Sequence, residues 1–350
     1  MSRIESYDIH GGKILLFGDL HISSSFVGQH KNYVYECYKA MDLIKEKVAK
    51  ENASAVIFLG DLFGVSEKNI RDRQFLMRTH NFFKLLNQST NGNVFSVKGN
   101  HDMGDFTDFD YFEGTGLIKN PQYINYYGRK PGSKVDDGLE VRFHLVNYGD
   151  EHKALKLAGD ATTATNIVLG HSDYYIEGAT NWYSAGSDVE LSQLTNFNGV
   201  ALVFSGHIHT PSDEMLFTTI KNGDSIGLFY LGCPTRTMER YDDCWYTRFE
   251  YCEADDGTWS TSYDCLLMGL DPADEVFYPV EKFVSNEEDS PEADRKAESD
   301  KLTDIVKEIM DSRIMTGDLN RQIDMVPGVS SKVKKIAKDY VEKATKSISK

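Results

Sequence analysis

Cysteine is scarce and never closely paired. The chain has five (Cys37, Cys233, Cys244, Cys252, Cys265), an odd number with no C-x-x-C spacing. That excludes a zinc ribbon and a secreted disulfide framework, and a reducing cytoplasm is the expected setting. Long apolar runs are also missing. Nothing approaches the roughly 18 consecutive apolar residues of a membrane-spanning helix, so no membrane association is expected. Met1 to Lys13 is polar and lacks the apolar stretch of a secretory leader. Basic charge is in deficit, with 38 Lys plus Arg against 54 Asp plus Glu and a formal net charge of −16. A protein that coats nucleic acid by electrostatics alone would be basic. The deficit does not exclude a metal-dependent nuclease, because such an enzyme must carry carboxylates and its substrate contacts are local. Internal repeats with periods of about 20–50 residues are absent as well.

The 350 residues, 40% of them apolar and 26% charged, suffice for a soluble globular fold with a sizeable core. Short apolar runs at 13–18 (KILLFG), 55–59 (AVIFL) and 93–98 (NVFSVK) read as buried strands. Between them, Tyr33, Cys37, Met41, Ile44 and Val48 mark one helical face, and Phe75, Phe82 and Leu86 mark another within 71–87. Strand, helix, strand in succession implies right-handed crossovers and a largely parallel sheet. Strands are also expected at 139–146, 166–169 and 200–205, with a short helix near 188–196. Three more strand-like runs lie between 224 and 268, and Asp255-Asp256-Gly257 favours a hairpin between the last two. This half reads as more antiparallel. The fold class expected is α/β, two packed sheets with helices outside.

Composition shifts near 285. Residues 285–300 (SNEEDSPEADRKAESD) are acidic and nearly devoid of apolar side chains, as in a linker. Beyond them Leu302, Ile305, Val306 and Ile309 form one amphipathic stripe, and Val333, Ile336, Tyr340 and Val341 form another in a lysine-rich tail. The organisation expected is a catalytic domain at 1–270, a reduced cap and acidic linker at 271–300, and a helical partner-binding segment at 301–350.

Five short motifs each follow an expected strand: Asp19-Leu20-His21, Gly60-Asp61, Gly99-Asn100-His101-Asp102, Gly170-His171 and Gly206-His207-Ile208-His209. Ligands gather at the carboxyl ends of strands in open α/β sheets, so these turns can converge on one crevice. The glycines permit sharp turns and close backbone approach. Asp, His and Asn without cysteine are oxygen and nitrogen donors suited to Mn, Fe or Zn. The i, i+2 spacing of Asp19/His21 and His207/His209 puts both members of each pair on one side of an extended strand end. One carboxylate can bridge two cations about 3.5–4 Å apart, the arrangement that stabilises attacking and leaving oxygens in phosphoryl transfer. The remaining histidines (His10, His30, His80, His144, His152) lack such company and read as structural or surface residues.

The order D-x-H, G-D, G-N-H-D, G-H, G-H-x-H resembles the calcineurin-like metallophosphoesterases across about residues 13–250. The resemblance implies their two-sheet αββα sandwich. It implies one cation held by Asp19, His21, Asp61 and His209 and a second held by Asp61, Asn100, His171 and His207, with Asp61 the bridge. It makes His101 the group that faces the phosphate and protonates the leaving oxygen, with Asp102 orienting His101. Two divalent cations are expected, Mn2+ foremost, with Mg2+, Fe or Zn as alternatives.

Three features narrow the resemblance. Gly60-Asp61 continues as Leu62-Phe63-Gly64, similar to the nuclease subunits of SbcCD-type complexes, although those usually carry Asp where Gly64 stands. Tyr230-Leu231-Gly232-Cys233-Pro234 is similar to their Y-x-G-S-P turn with Cys233 in place of Ser. The C-terminal stripes match a helical segment that docks onto the coiled-coil base of an SMC-like ABC ATPase. The expectation is a Mn-dependent DNA exo/endonuclease subunit of this type, compact like the phage versions, acting in recombination, repair or replication. Its expected partners are DNA, an SbcC-type ATPase and a second copy of itself in a homodimer. A stand-alone metallophosphodiesterase acting on nucleotides or small phosphoesters is the alternative.

Overall fold

The structure, a computed structural model, describes residues 3–277 apart from 25–29, 65–72, 105–106, 159–163, 177–188, 222 and 237–241. The chain divides into two units, Met1–Tyr278 and Pro279–Lys350. The second unit lies outside the described residues, so the stripes expected within 301–350 and all but the start of the expected cap at 271–300 lie there too.

The first unit opens with β1 (Ser6–His10) and β2 (Lys13–Phe17). Helix α1 (Tyr33–Glu51) then leads to β3 (Ala53–Phe58), and α2 (Arg73–Ser89) leads to β4 (Val94–Ser96). A short α3 (Asp108–Gly114) precedes β5 (Tyr123–Gly128), β6 (Gly138–Val146) and β7 (Thr165–His171). Next come β8 (Tyr174–Tyr175), β9 (Val189–Glu190), β10 (Val200–Gly206), β11 (Leu216–Thr219) and β12 (Ser225–Tyr230). The unit ends with β13 (Trp245–Glu253), β14 (Trp259–Leu267) and the helical turn α4 (Ala273–Val276).

One sheet has the order β14-β13-β2-β3-β4 and the other β1-β5-β6-β7-β10-β12-β11. Alternation along the central strands makes each of them two-faced. Leu15, Phe17, Val56 and Phe58 point to α1 and α2, while Ile14, Leu16, Ala55 and Ile57 point between the sheets. There they meet Phe143, Ile167, Leu169 and Phe204 of the second sheet. Helix α1 forms where expected: Asn32 caps it by accepting from the Tyr35 amide, and left-handed Asn52 ends it at φ 49°. Its stripe of Tyr33, Cys37, Met41, Ile44 and Val48 is fully buried. The αββα sandwich is thus the observed architecture.

Two features differ from the sequence reading. The expected helix near 188–196 is a pair of 3₁₀ turns, Leu191–Gln193 and Thr195–Phe197. Leu191, Leu194 and Phe197 recur every three residues, and three residues per turn is the 3₁₀ repeat that buries all three on one face. The second half is also less antiparallel than expected, because β6, β7, β10 and β12 form a parallel run. The β13–β14 hairpin forms as expected, with Gly257 left-handed at φ 82°. It joins the first sheet by antiparallel pairing of β13 with β2.

The parallel registers bring the carboxyl ends of β2, β3 and β4 to one edge of the first sheet. Those of β7 and β10 share one edge of the second. All five motif turns hang from these two edges. Helix α1 and the loop after β12 brace the first of them. Glu36 and Arg236 form a fully buried ion pair at 3.0 Å. Burial lifts the Glu36 pKa above the usual carboxylate range, with Arg236 opposing it. Replacing Arg236 by Met leaves the Glu36 charge buried alone, and we expect a loss of about 3–5 kcal/mol in a denaturant titration. The double variant Arg236→Met/Glu36→Leu should recover most of that loss. A double variant as unstable as the single one would show that the pair has a role other than mutual compensation.

Candidate metal centre

Each motif turn is held by bonds that leave its donor side chain little freedom. The carbonyls of Asp19, Leu20 and His21 accept in turn from buried side chains: the Cys233 thiol at 3.1 Å, the Thr235 hydroxyl, and the Tyr33 hydroxyl at 2.8 Å. Cys233 therefore does what a serine would do at that position, offering a small donor to the Asp19 carbonyl. Burial pushes its thiol pKa well up, so it stays protonated. The amides of His21 and Ile22 donate to the carbonyls of Asp61 and Leu62, which ties the first turn to the second. Three site residues, His21, Asp61 and His207, have left-handed backbones at φ 43°, 39° and 76°. For residues with a Cβ this is strained, and such strain persists only where surrounding bonds over-determine it. Space is equally tight. A Cβ on Gly206 would lie 2.0 Å from Asp19 Oδ1, and one on Gly99 would lie 2.0 Å from Asp61 Oδ1.

The donors converge. Asp19, His21 and His209 form one cluster; His21, Asp61 and His101 form a second; Asp61, His171 and His207 form a third. Asp61 belongs to two of them. Asn100 joins the third, with its Oδ1 at 3.1 Å from His171 Nε2 and 3.0 Å from His207 Nδ1. The outer ring nitrogens of three histidines are assigned by their acceptors. His21 Nδ1 donates to Gly64 O at 2.7 Å, and His171 Nδ1 donates to Leu59 O at 2.8 Å. His207 Nε2 lies 3.1 Å from Asp173 Oδ1. Each ring thereby turns a lone pair inward, and His21 Nε2 comes within 2.8 Å of His209 Nε2.

The electrostatics are those of a site short of positive charge. Asp19 and Asp61 are both 1% exposed. Burial and the neighbouring Asp61 drive the Asp19 pKa well above its ordinary value. The Asp19 Oδ1 atom has no hydrogen-bond partner, while its Oδ2 accepts the His207 amide at 2.8 Å. Burial would also raise Asp61, but His171, His21 and His101 outweigh it and hold Asp61 far below the usual range. Burial depresses His21 to about 3 despite Asp61. An orphaned buried carboxylate oxygen, inward lone pairs and a shared Asp61 fit divalent cations of the kind that take N and O donors.

His101 stands apart from this packing. Its side chain is 36% exposed, and its Nε2 is 3.8 Å from Asp61 Oδ2. Burial and the neighbouring rings lower its pKa, with Asp61 opposing them. Asp102 behaves otherwise than expected. Its two carboxylate oxygens are taken up by the amides of Leu62, Phe63 and Gly99. It fixes the Gly60–Gly64 turn against the Gly99 turn, because those backbone donors surround it in a fully buried spot. Two residues of the site were not anticipated from sequence. Asp173 backs His207, and half-buried Tyr148 places its ring 5.6 Å from that of His207. Asp173 follows His171 by two residues, a spacing that could have flagged it. Four of the other five histidines have ordinary surroundings: His30 bonds the Arg236 carbonyl, His144 bonds Asn166, His10 pairs with Asp136 and His80 lies beside Phe112.

A family pattern described as calcineurin-like phosphoesterase matches residues 12–211, a span that takes in all five motif turns. No curated protein matches the chain. Among solved structures, the chain is similar to a conserved uncharacterized protein from Streptococcus pneumoniae TIGR4, described as a predicted phosphoesterase. The identity is 14% and the TM-score 0.30, over 78% of this chain and 95% of that one. It is similar to YfcE, a phosphoesterase from E. coli, at 15% identity and TM-score 0.33, over 71% and 98% of the two chains. It is also similar to Vps29 of Chaetomium thermophilum, at 12% identity and TM-score 0.27, over 74% and 100%.

A test of the charge deficit follows from Asp19. A carboxylate whose folded pKa is raised stabilises the fold only below its unfolded pKa and loses that contribution as pH rises. Metal-free protein at neutral pH therefore bears a cost at Asp19. We expect Asp19→Asn to raise metal-free stability by about 1–3 kcal/mol, the usual cost of an unsatisfied buried polar group. The same variant should lose most of the stabilisation that added Mn2+ gives the native chain. Thermal denaturation with and without Mn2+ measures both; a variant less stable than the native chain without metal would contradict the deficit.

Proposed function

The chain belongs to the calcineurin-like phosphoesterase family, and on that premise we propose that it is a DNA nuclease subunit, hydrolysing phosphodiester bonds beside a pair of divalent cations. The observation that carries the hydrolytic part is the shared Asp61, flanked by inward-facing ring nitrogens and by one open imidazole, His101. Asp19, His21, Asp61 and His209 would hold one cation, and Asp61, Asn100, His171 and His207 the other. Bound there, the cations supply Lewis acidity and a water that ionises near neutral pH. The protein's own groups do the rest. The strained, doubly hydrogen-bonded turns keep the donors in place without rearrangement. His101, on the open side, is the group positioned to hand a proton to the departing oxygen. Its metal-free pKa is low, and an anionic phosphodiester beside the ring would favour the imidazolium it needs. Tyr148, beside His207, offers a face for a sugar or base.

The nuclease reading rests on finer features. Gly60-Asp61-Leu62-Phe63 and the Tyr230–Pro234 turn resemble those of SbcD-type subunits. The stripes within 301–350 need burial against something, and a coiled-coil ABC ATPase is the proposed partner, with a homodimer of this chain as the assembly. Mn2+ is the proposed cation. A stand-alone phosphodiesterase acting on nucleotides is the second reading, favoured by the net charge of −16. Cleavage of linear and circular DNA with Mn2+ or Mg2+, alongside bis-p-nitrophenyl phosphate, separates the two. Hydrolysis of the small diester with DNA left intact, alone and with the ATPase, would favour the second.

His101→Asn should retain both cations and lose about 10²–10⁴ in rate on either substrate, as removal of a general acid does. Metal analysis of the purified variant checks the assignment. Loss of one cation together with activity would make His101 a ligand. Deleting 297–350 should leave a metal-loaded domain that hydrolyses the small diester but no longer pulls down the ATPase. A truncated chain that aggregates or melts much earlier than the native one would point instead to intramolecular packing of those stripes.

A further inference from the structure

The three rings with assigned tautomers are not backed alike. His21 and His171 give their outer N–H to the main-chain carbonyls of Gly64 and Leu59. His207 gives its outer nitrogen to a side chain, Asp173, at 3.1 Å. A carboxylate only accepts, so it holds the hydrogen on Nε2 and leaves the Nδ1 lone pair facing Asn100 and His171. A carboxylate behind an imidazole also strengthens the ring as a donor more than a carbonyl does.

Asp173 is itself held firmly. It is 9% exposed, and its carbonyl accepts the Val189 amide at 2.9 Å where β9 pairs beside β8. On one side Ser172 donates to the Glu151 carboxylate. On the other, the buried Tyr230 hydroxyl donates to the Tyr174 carbonyl at 2.7 Å. The main chain is thus anchored at Ser172, Asp173 and Tyr174, which places the Asp173 carboxylate 3.1 Å from His207 Nε2.

We propose that Asp173 is a positioning residue for His207, fixing its tautomer and ring plane and raising its affinity for the cation that His207 serves. The proposal rests on the two-cation reading of the site. It makes the two cation positions unequal: one is backed by a removable carboxylate, while His21 at the other is backed by main chain that no substitution alters.

The test uses the full chain, with Asp173→Asn and Asp173→Ala. Asn keeps an acceptor oxygen without the charge; Ala removes both. Nitrogen-15 NMR of the metal-free native protein, recorded at a pH where the His207 ring is neutral, should show His207 as the Nε2–H tautomer, and Asp173→Ala should show a mixture. Calorimetric titration with Mn2+ should show one of two equivalents weakened about 10–100-fold in Asp173→Ala, with Asp173→Asn between that and native. The other equivalent and the metal-free melting temperature should change little. A native His207 in the Nδ1–H tautomer overturns the proposal, and so do two equivalents of native affinity in both variants. If Asp173→Ala fails to fold, the near-isosteric Asp173→Asn and the native tautomer still decide. A native chain that takes up no Mn2+ at all overturns the two-cation reading itself, which is a different result from two native-like equivalents in the variants.

Discussion

Two carboxylates, Asp19 and Asp61, lie almost without water where the edges of two sheets meet, and the surrounding structure answers to that fact. Burying one carboxylate is costly, and burying two side by side is more so. Asp61 receives the His101 amide and the company of three rings. Asp19 receives one amide and keeps an orphaned oxygen. The protein's own groups therefore stop short of neutralising the pair. A ligand that binds only the folded state makes up such a shortfall and stabilises the fold in doing so. The sandwich outside this seam is an ordinary layered core.

Holding the donors toward one another requires backbone shapes that a chain would not adopt unaided. His21, Asp61 and His207 are all left-handed. The first two are locked from behind, and the His207 amide is held by the Asp19 carboxylate. The Cys233, Thr235 and Tyr33 side chains take the three carbonyls of the first turn; the Asp102 carboxylate gathers three amides of the second and third. These locks come from α1, from the loop after β12 and from the Gly99 turn, elements far apart in sequence. Strain at the site is thus maintained by the whole α1 side of the sandwich, including the buried Glu36–Arg236 pair.

This division explains what could be read from sequence. The central strands announce themselves as apolar runs because both their faces are buried. The five turns announce themselves because close approach demands glycine and the donors are chemically distinctive. Other features depend on partners that sequence does not reveal. Strand β5, with Tyr123, Asn125, Tyr126 and Tyr127, gives no clean apolar run, and it is defined by pairing with β1 and β6. The return of β13 to pair with β2 is a long-range choice that no local pattern encodes. Asp102 sits next to His101 in sequence, which suggests contact, yet the 3₁₀ turn at Asn100–Asp102 sends its carboxylate into the protein. Asp173 reads as a loop residue until His207, from another strand, arrives beside it.

The acidic composition looks at odds with an anionic substrate, and the geometry resolves the conflict locally. Arg129 and Lys130, basic residues of the kind that attract a phosphodiester, follow the carboxyl end of β5. That strand runs antiparallel to β6, so they lie at the opposite edge from the motif turns. They are also engaged there by Asp136 and Asp137. These two residues are therefore not the source of attraction at the face beside His101, His207 and His209. Two divalent cations would bring four positive charges to the carboxylates of Asp19 and Asp61, so a loaded cluster would be net positive whatever the sign of the chain around it. Attraction of this kind falls off within about a Debye length, roughly 8–10 Å at ordinary salt. It acts on the phosphate that reaches the cluster and little on a polyanion passing at a distance. A chain of this charge that acts on DNA therefore gains from a partner that brings the DNA to it, whereas a small diester needs none.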